Sequence, residues 1–198
     1  QHQWHTRTRA ERRVGADGAV RTTEELAATV RCATADARAN HSVATAAPLS
    51  LPDRELLIDP YLLGVWLGDG HSASARFTSA DPEIEMRIEG RGHEVDETET
   101  ALVLLGVVGD KHIPAEYLRA SEAQRRDLLA GLLDTDGTVN LTGSVQFAVT
   151  HERLARDVRE LVHSLGYRTG WSEKTVRGRS AASSTCFTIT FTTDDDVF

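Results

Sequence analysis

Two nine-residue runs constrain this chain more than any other feature. Leu62-Leu63-Gly64-Val65-Trp66-Leu67-Gly68-Asp69-Gly70 aligns without a gap on Leu129-Ala130-Gly131-Leu132-Leu133-Asp134-Thr135-Asp136-Gly137. Gly64 falls on Gly131, Asp69 on Asp136 and Gly70 on Gly137. Runs that are apolar nearly all round predict buried helices. A mid-helix Gly costs about 1 kcal/mol, a cost that makes sense where two helices touch with no side chain between them. The final Gly allows a left-handed cap and a sharp exit. Each aspartate before it then sits at the negative end of a helix dipole, which disfavours a carboxylate unless a cation is near. Two such ends packed side by side would bring Asp69 and Asp136 together. That pair suits Mg²⁺, a hard cation that takes oxygen ligands, and the chemistry suits a phosphodiester.

The surrounding sequence supplies the rest of a repeat. Asp59-Pro60 reads as an N-cap followed by Pro at the first helical position. Ser121 with Gln124 reads as a capping box opening the second helix. A third helix is expected from near Thr150 to Gly166, with Leu154, Val158, Leu161 and Leu165 on one face. Val145–Val149 and Cys186–Phe191 read as strands. After Asp69-Gly70 comes Ala75-Arg76-Phe77-Thr78 and a helix carrying Ile84 and Ile88; after Asp136-Gly137 comes Val145-Gln146-Phe147-Ala148 and the helix with Leu154 and Val158. Such a repeat predicts two similar α/β halves related by a pseudo-twofold axis. Residues 33–54, rich in Ala and Ser and weak in periodicity, read as a linker or loop-rich connection.

Charge narrows the function classes. The 198 residues carry a net charge of −8, which taken alone argues against a nucleic-acid binder. The acid is local, however. Residues 81–110 and Asp194–Asp196 together hold −10, leaving the remainder slightly basic. Arg7, Arg9, Arg12 and Arg13 lie near the start, and seven cations fall within residues 151–180. Two cysteines, Cys32 and Cys186, are too few for a disulfide scaffold or a Cys-rich zinc site. No apolar run approaches the roughly 20 residues of a membrane span. No secretory signal is visible, so a cytoplasmic setting is expected. The chain lacks an initiating Met and ends at Val197-Phe198, which reads as a piece of something longer.

The paired runs resemble those of the double-motif LAGLIDADG, or dodecapeptide, homing endonucleases. Lys111-His112-Ile113-Pro114 followed by Tyr117-Leu118 resembles a further block of those enzymes when they sit inside inteins. His2-Gln3-Trp4 with Thr6-Arg7-Thr8-Arg9 is similar to an intein splicing block whose His polarises the N-terminal scissile bond. The Trp resembles that of the class 3 inteins, and the order of blocks is similar to inteins of actinobacterial replicative DNA helicases. The resemblance implies an α+β fold: two αββαββ-type halves, about 56–115 and 116–198, within a nuclease domain over 56–198. It further implies a β-rich stub of a Hint splicing domain over 1–32 and a linker over 33–55.

By the same resemblance Asp69 and Asp136 are catalytic acids binding Mg²⁺, and Lys111 assists water activation or stabilises phosphate charge. Asp134 aligns with Leu67 and is expected to be a helix-end residue instead. Gly64, Gly131, Gly70 and Gly137 form the helix interface, and His2 and Trp4 belong to splicing. Strands of the two halves would form a saddle over a long, asymmetric double-stranded DNA site. DNA contacts are expected from Arg76, Arg168, Lys174, Arg177 and Arg179, with Arg7, Arg9, Arg12 and Arg13. The implied partners are that DNA and the flanking host segments of a replicative helicase; a monomer with no membrane contact is expected.

The chain departs from the family pattern in three ways. The first splicing block, the internal Cys block and the terminal His-Asn block are absent, so this chain alone should not splice. Only 67 residues separate Asp69 from Asp136, and after Val95 a single apolar run, Ala101–Val108, stands where a strand pair and a helix are expected. The second half stops before its final strand and helix. Two alternatives therefore stand beside a nuclease: a splicing element whose nuclease has decayed to an insert, and a DNA-binding regulator without cleavage. Retention of both acids weighs against the regulator.

Overall fold

The computed structural model describes residues 2–70, 86, 95–141, 143–177 and 183–198, and for residues 95–99 the backbone alone. The chain divides into two compact units, Gln1–Ala46 and Ala47–Phe198.

The first unit is a three-stranded antiparallel sheet in the order β2-β1-β3, with β1 Gln3–Thr8, β2 Ala19–Thr22 and β3 His41–Ser42. Two short helices, α1 Arg9–Arg13 and α2 Thr23–Ala28, each open with a complete capping box, Thr8 with Glu11 and Thr22 with Glu25. Arg21 binds the backbone oxygen and hydroxyl of buried Thr6 and pairs with Glu11 at 2.7 Å. Residues 33–46, read from the sequence as linker, contribute β3 to this sheet.

In the second unit, residues 47–59 have no regular structure, yet they are pinned along it. Leu49 N donates to Ser164 O, Arg54 N to the Gln124 side chain, and Ile58 exchanges two hydrogen bonds with the buried Tyr117 hydroxyl. Helix α3 spans Pro60–Asp69, with Asp59 accepting from the amides of Tyr61 and Leu62 as the sequence predicts. Then come α4 Val95–Leu104, α5 Ala115–Leu118 and α6 Glu122–Asp136, the last opened by the Ser121–Gln124 capping box. A four-stranded antiparallel sheet follows, ordered β4-β5-β7-β6, from Gly137–Val139, Ser144–Val149, Ser183–Thr192 and Thr169–Arg177. Helix α7, Glu152–Ser164, joins β5 to β6, and Gly166 provides its exit at φ +87°.

Sheet register sorts the side chains cleanly. Phe147 pairs with Ile189, which pairs with Trp171, and Val149 pairs with Phe187. Phe147, Phe187 and Ile189 share one buried cluster with Leu154, Val158 and Leu161 of α7. The alternate positions form the other face: Gln146–Thr190–Gly170, Ala148–Thr188–Ser172 and Cys186–Lys174 in successive rows. The sheet, α7 and the α3–α6 pair enclose one core. The expected strand at 75–78 and the helix with Ile84 and Ile88 lie outside the described residues, apart from Met86.

Candidate active site at the paired helix ends

Helices α3 and α6 meet backbone to backbone at their central glycines. A Cβ at Gly64 would stand 2.9 Å from Leu132 N and 3.0 Å from the Cα of Gly131. A Cβ at Gly131 would stand 2.9 Å from Val65 N. No side chain larger than hydrogen fits at either position, so the predicted contact is present and sets the spacing of the two helix ends. One turn further on, Gly68 faces Thr135, whose hydroxyl donates to the carbonyls of Gly131 and Leu132.

The terminal glycines correct one expectation. Neither adopts a left-handed conformation: Gly70 has φ −65° and ψ 151°, and Gly137 has φ −85° and ψ 152°. Each chain leaves its helix in an extended direction. What excludes a side chain is space, since a Cβ at Gly70 would press into the Trp66 ring at 2.6 Å, and one at Gly137 would lie 2.7 Å from the Cα of Leu133. At Gly137 the extended exit is already the first residue of β4.

The two aspartates arrive at these ends unequally. Asp69 is exposed and Asp136 is half-buried. Burial and then the negative charge of Asp69 push the Asp136 carboxyl above the ordinary aspartate range, against the pull of Lys111. The charges of Asp69, Asp136 and Lys111 thus act on one another at these helix ends. Asp134, two residues earlier, accepts a hydrogen bond from the Tyr61 hydroxyl at 2.8 Å and so faces back along α3, which fits its expected helix-end role.

Lys111 is deeply set, with 5% of its surface exposed. Its Nζ donates to Leu67 O at 2.9 Å and Gly68 O at 3.0 Å, and lies 5.3 Å from the centre of the Trp66 ring. These are carbonyls that the end of α3 leaves unsatisfied, where a cation is most welcome. Burial depresses the Lys111 pKa, and the charges of Asp136 and Asp69 oppose that shift. The sequence signal that finds this lysine is the Lys-His-Ile-Pro block; its docking onto a helix end left no local trace. Tyr61 was missed as a partner of Asp134, because nothing in a buried helix pattern marks one hydroxyl for a neighbour 73 residues away.

The expected DNA-contact residues are dispersed. Lys174 is exposed on the open sheet face, opposite Cys186 in register. Arg177 lies three positions on, at the register of the other face, and exposed Arg168 precedes β6. Arg76 and Arg179 lie outside the described residues. In the first unit, Arg12 is turned onto the carbonyls of Arg7 and Asn40, and Arg9 lies 4.0 Å from Asp36. Arg7 and Arg13 are exposed. His2 is exposed just before β1, and the Trp4 indole donates to the Thr23 hydroxyl at 3.2 Å.

Residues 123–195 match the LAGLIDADG-like domain family. The whole chain is also 56% identical, over 212 aligned positions, to the replicative DNA helicase DnaB of Mycobacterium intracellulare. It spans 37% of that protein's length. The alignment is longer than the 198-residue chain, so the relative carries positions without counterpart here. Among the described residues, no helix is long and apolar enough to cross a membrane.

Proposed function

We propose, from a chain that carries a LAGLIDADG-like domain and matches part of a DnaB helicase as an intein within it would, that the second unit is a site-specific double-strand DNA endonuclease. The reaction is hydrolysis of a phosphodiester in each strand. One observation carries this reading: two carboxylates and a buried lysine converge where two glycine-packed helices end.

The donor set fits Mg²⁺. Asp69 and Asp136 offer oxygen ligands at the negative ends of two helix dipoles, and Asp136 already feels the repulsion of Asp69. Bound there, Mg²⁺ supplies Lewis acidity toward a phosphate oxygen and the attacking water. The chain's own contribution is placement. The glycine contact holds the carboxylates at a fixed separation. Lys111 secures the last carbonyls of α3 and adds positive charge beside the site, where a phosphate gathers negative charge as it reacts. The open sheet face, lined by Gln146, Thr188, Thr190, Ser172 and Lys174, offers hydroxyl and amide groups toward a duplex.

A second reading, a splicing element whose nuclease has decayed, is favoured by that same face. Among its described positions Lys174 is the one cation, a sparse complement for gripping phosphates. One assay separates the two. The full intein-bearing protein is incubated with DNA carrying the uninterrupted helicase-gene insertion site, with Mg²⁺ and with EDTA. The nuclease reading expects Mg²⁺-dependent double-strand breaks that disappear in Asp69→Asn and Asp136→Asn. Binding without cleavage by the unmutated protein would sink it.

A further inference from the structure

Lys111 is gripped from two sides, and only one grip belongs to the site described above. Its side chain holds the end of α3. Its backbone segment is held by α7, through one stripe of that helix. Arg153 pairs with Asp110. Asp157 accepts from the backbone amide of Ile113 at 3.0 Å. Glu160 pairs with Arg119 at 2.6 Å. Ser164 accepts from Arg125 through its carbonyl at 2.7 Å and its hydroxyl at 2.5 Å. The four positions on α7 are spaced four, three and four residues apart, which puts them on one helix face. Their partners rise in the same order, so residues 110–125 run along α7 in register with it.

These contacts are not equal. The Arg153 and Glu160 pairs are between exposed side chains, where ion pairs contribute little. Asp157 is half-buried and meets a backbone donor of the buried residue Ile113. Burial raises the Asp157 pKa, while the Ile113 amide, Arg153 and His112 draw it down. Losing this acceptor would strand a backbone N–H two residues from Lys111, in a segment where Gly106 and Gly109 both adopt positive φ and lend no stiffness of their own. The His112 ring turns away to the Asp110 carbonyl at 2.7 Å and does not substitute.

We propose that Asp157 is a positioning residue for Lys111: through the Ile113 amide it fixes the segment that delivers the ammonium to the end of α3. Its bearing on cleavage rests on the nuclease reading; its bearing on where Lys111 sits does not. An amide at position 157 accepts the same N–H, so Asn preserves the function and Ala removes it.

The chain has two lysines, buried Lys111 and exposed Lys174, which makes the test direct. The intact protein is treated with an amine-acetylating reagent, and each lysine's rate is read by mass spectrometry. In the unmutated protein Lys174 reacts much faster than Lys111. Asp157→Ala raises the Lys111 rate at least about fivefold, the order expected from losing one buried hydrogen bond, with Lys174 unchanged. Asp157→Asn stays within about twofold of the unmutated rate, since it keeps the acceptor. An unchanged Lys111 rate in Asp157→Ala overturns the proposal, as does failure of Asn to preserve protection. Should Asp157→Ala not fold, amide exchange of Ile113 in the unmutated protein decides: protection like that of the α7 core supports the proposal, and exchange like that of an exposed loop overturns it.

A cleavage arm separates this inference from the nuclease reading. In a Lys111→Met background, Asp157→Ala should lower kcat no further, whereas a merely structural role would add its own loss. If the unmutated protein does not cleave, the nuclease reading falls and the labelling result still stands or fails by itself.

Discussion

At the end of α3 the last carbonyls are covered by the Lys111 ammonium and Asp69 faces solvent. At the end of α6 the chain turns directly into β4, the Thr135 hydroxyl folds back onto the helix's own Gly131 and Leu132 carbonyls, and Asp136 is half-buried. The two runs share two glycines and one aspartate at matching positions, so the backbone frame is nearly repeated. The surroundings of the two carboxylates are not. The first end borrows a cation from a distant segment, while the second passes straight into a strand. A repeated frame thus fixes where two charges meet, and unrepeated neighbours decide how each charge behaves.

The largest effects should come from breaking the frame. Gly64→Val and Gly131→Val each drive a side chain into the opposing backbone and should cost about 3 kcal/mol or more, read by chemical denaturation. An equal, small loss would mean the helices do not depend on this contact. Next, Asp69→Asn and Asp136→Asn should each lower cleavage by at least roughly a hundredfold with DNA binding retained, because both are needed at one site. A loss confined to one of them would show that the asymmetry of the ends extends to the chemistry. Third, millimolar Mg²⁺ should raise the thermal midpoint of the unmutated protein relative to EDTA, by about 1 kcal/mol of linkage, and neither Asn variant should show the shift. The smallest effect should come from Tyr61→Phe, which removes the hydroxyl's hydrogen bond to Asp134 at a cost of about 1 kcal/mol and leaves cleavage within about threefold. A large loss of activity there would move the catalytic role from Asp136 toward Asp134.

Much of this frame was legible because it is written in local and repeated signals. Asp59-Pro60 and Ser121–Gln124 marked two helix starts through backbone donors that nearby side chains must satisfy. The mid-helix glycines marked a close approach because they cost helix stability that only packing repays. The terminal glycines were misread, since Gly signals both a left-handed turn and a lack of room. At Gly70 and Gly137 the second reason holds, and it depends on Trp66 and Leu133 one turn back. The docking of Lys111 and the stripe on α7 were invisible for a different reason. Asp157 and Ile113 lie 44 residues apart, and polar spacing on an exposed-looking helix face reads as solvated charge until its partners are placed. Arg12 taught the converse: an arginine cluster that looked available for DNA contains one member already committed to backbone carbonyls.

The account turns on whether the two helix ends form a single metal site. The direct measurement is a crystal structure of the intact protein with its uninterrupted target DNA and Mn²⁺ in place of Mg²⁺, read by anomalous scattering. The account predicts anomalous density between the carboxylates of Asp69 and Asp136, against the backbone of the duplex. Density bound elsewhere, with those two carboxylates held apart and unliganded, would contradict it.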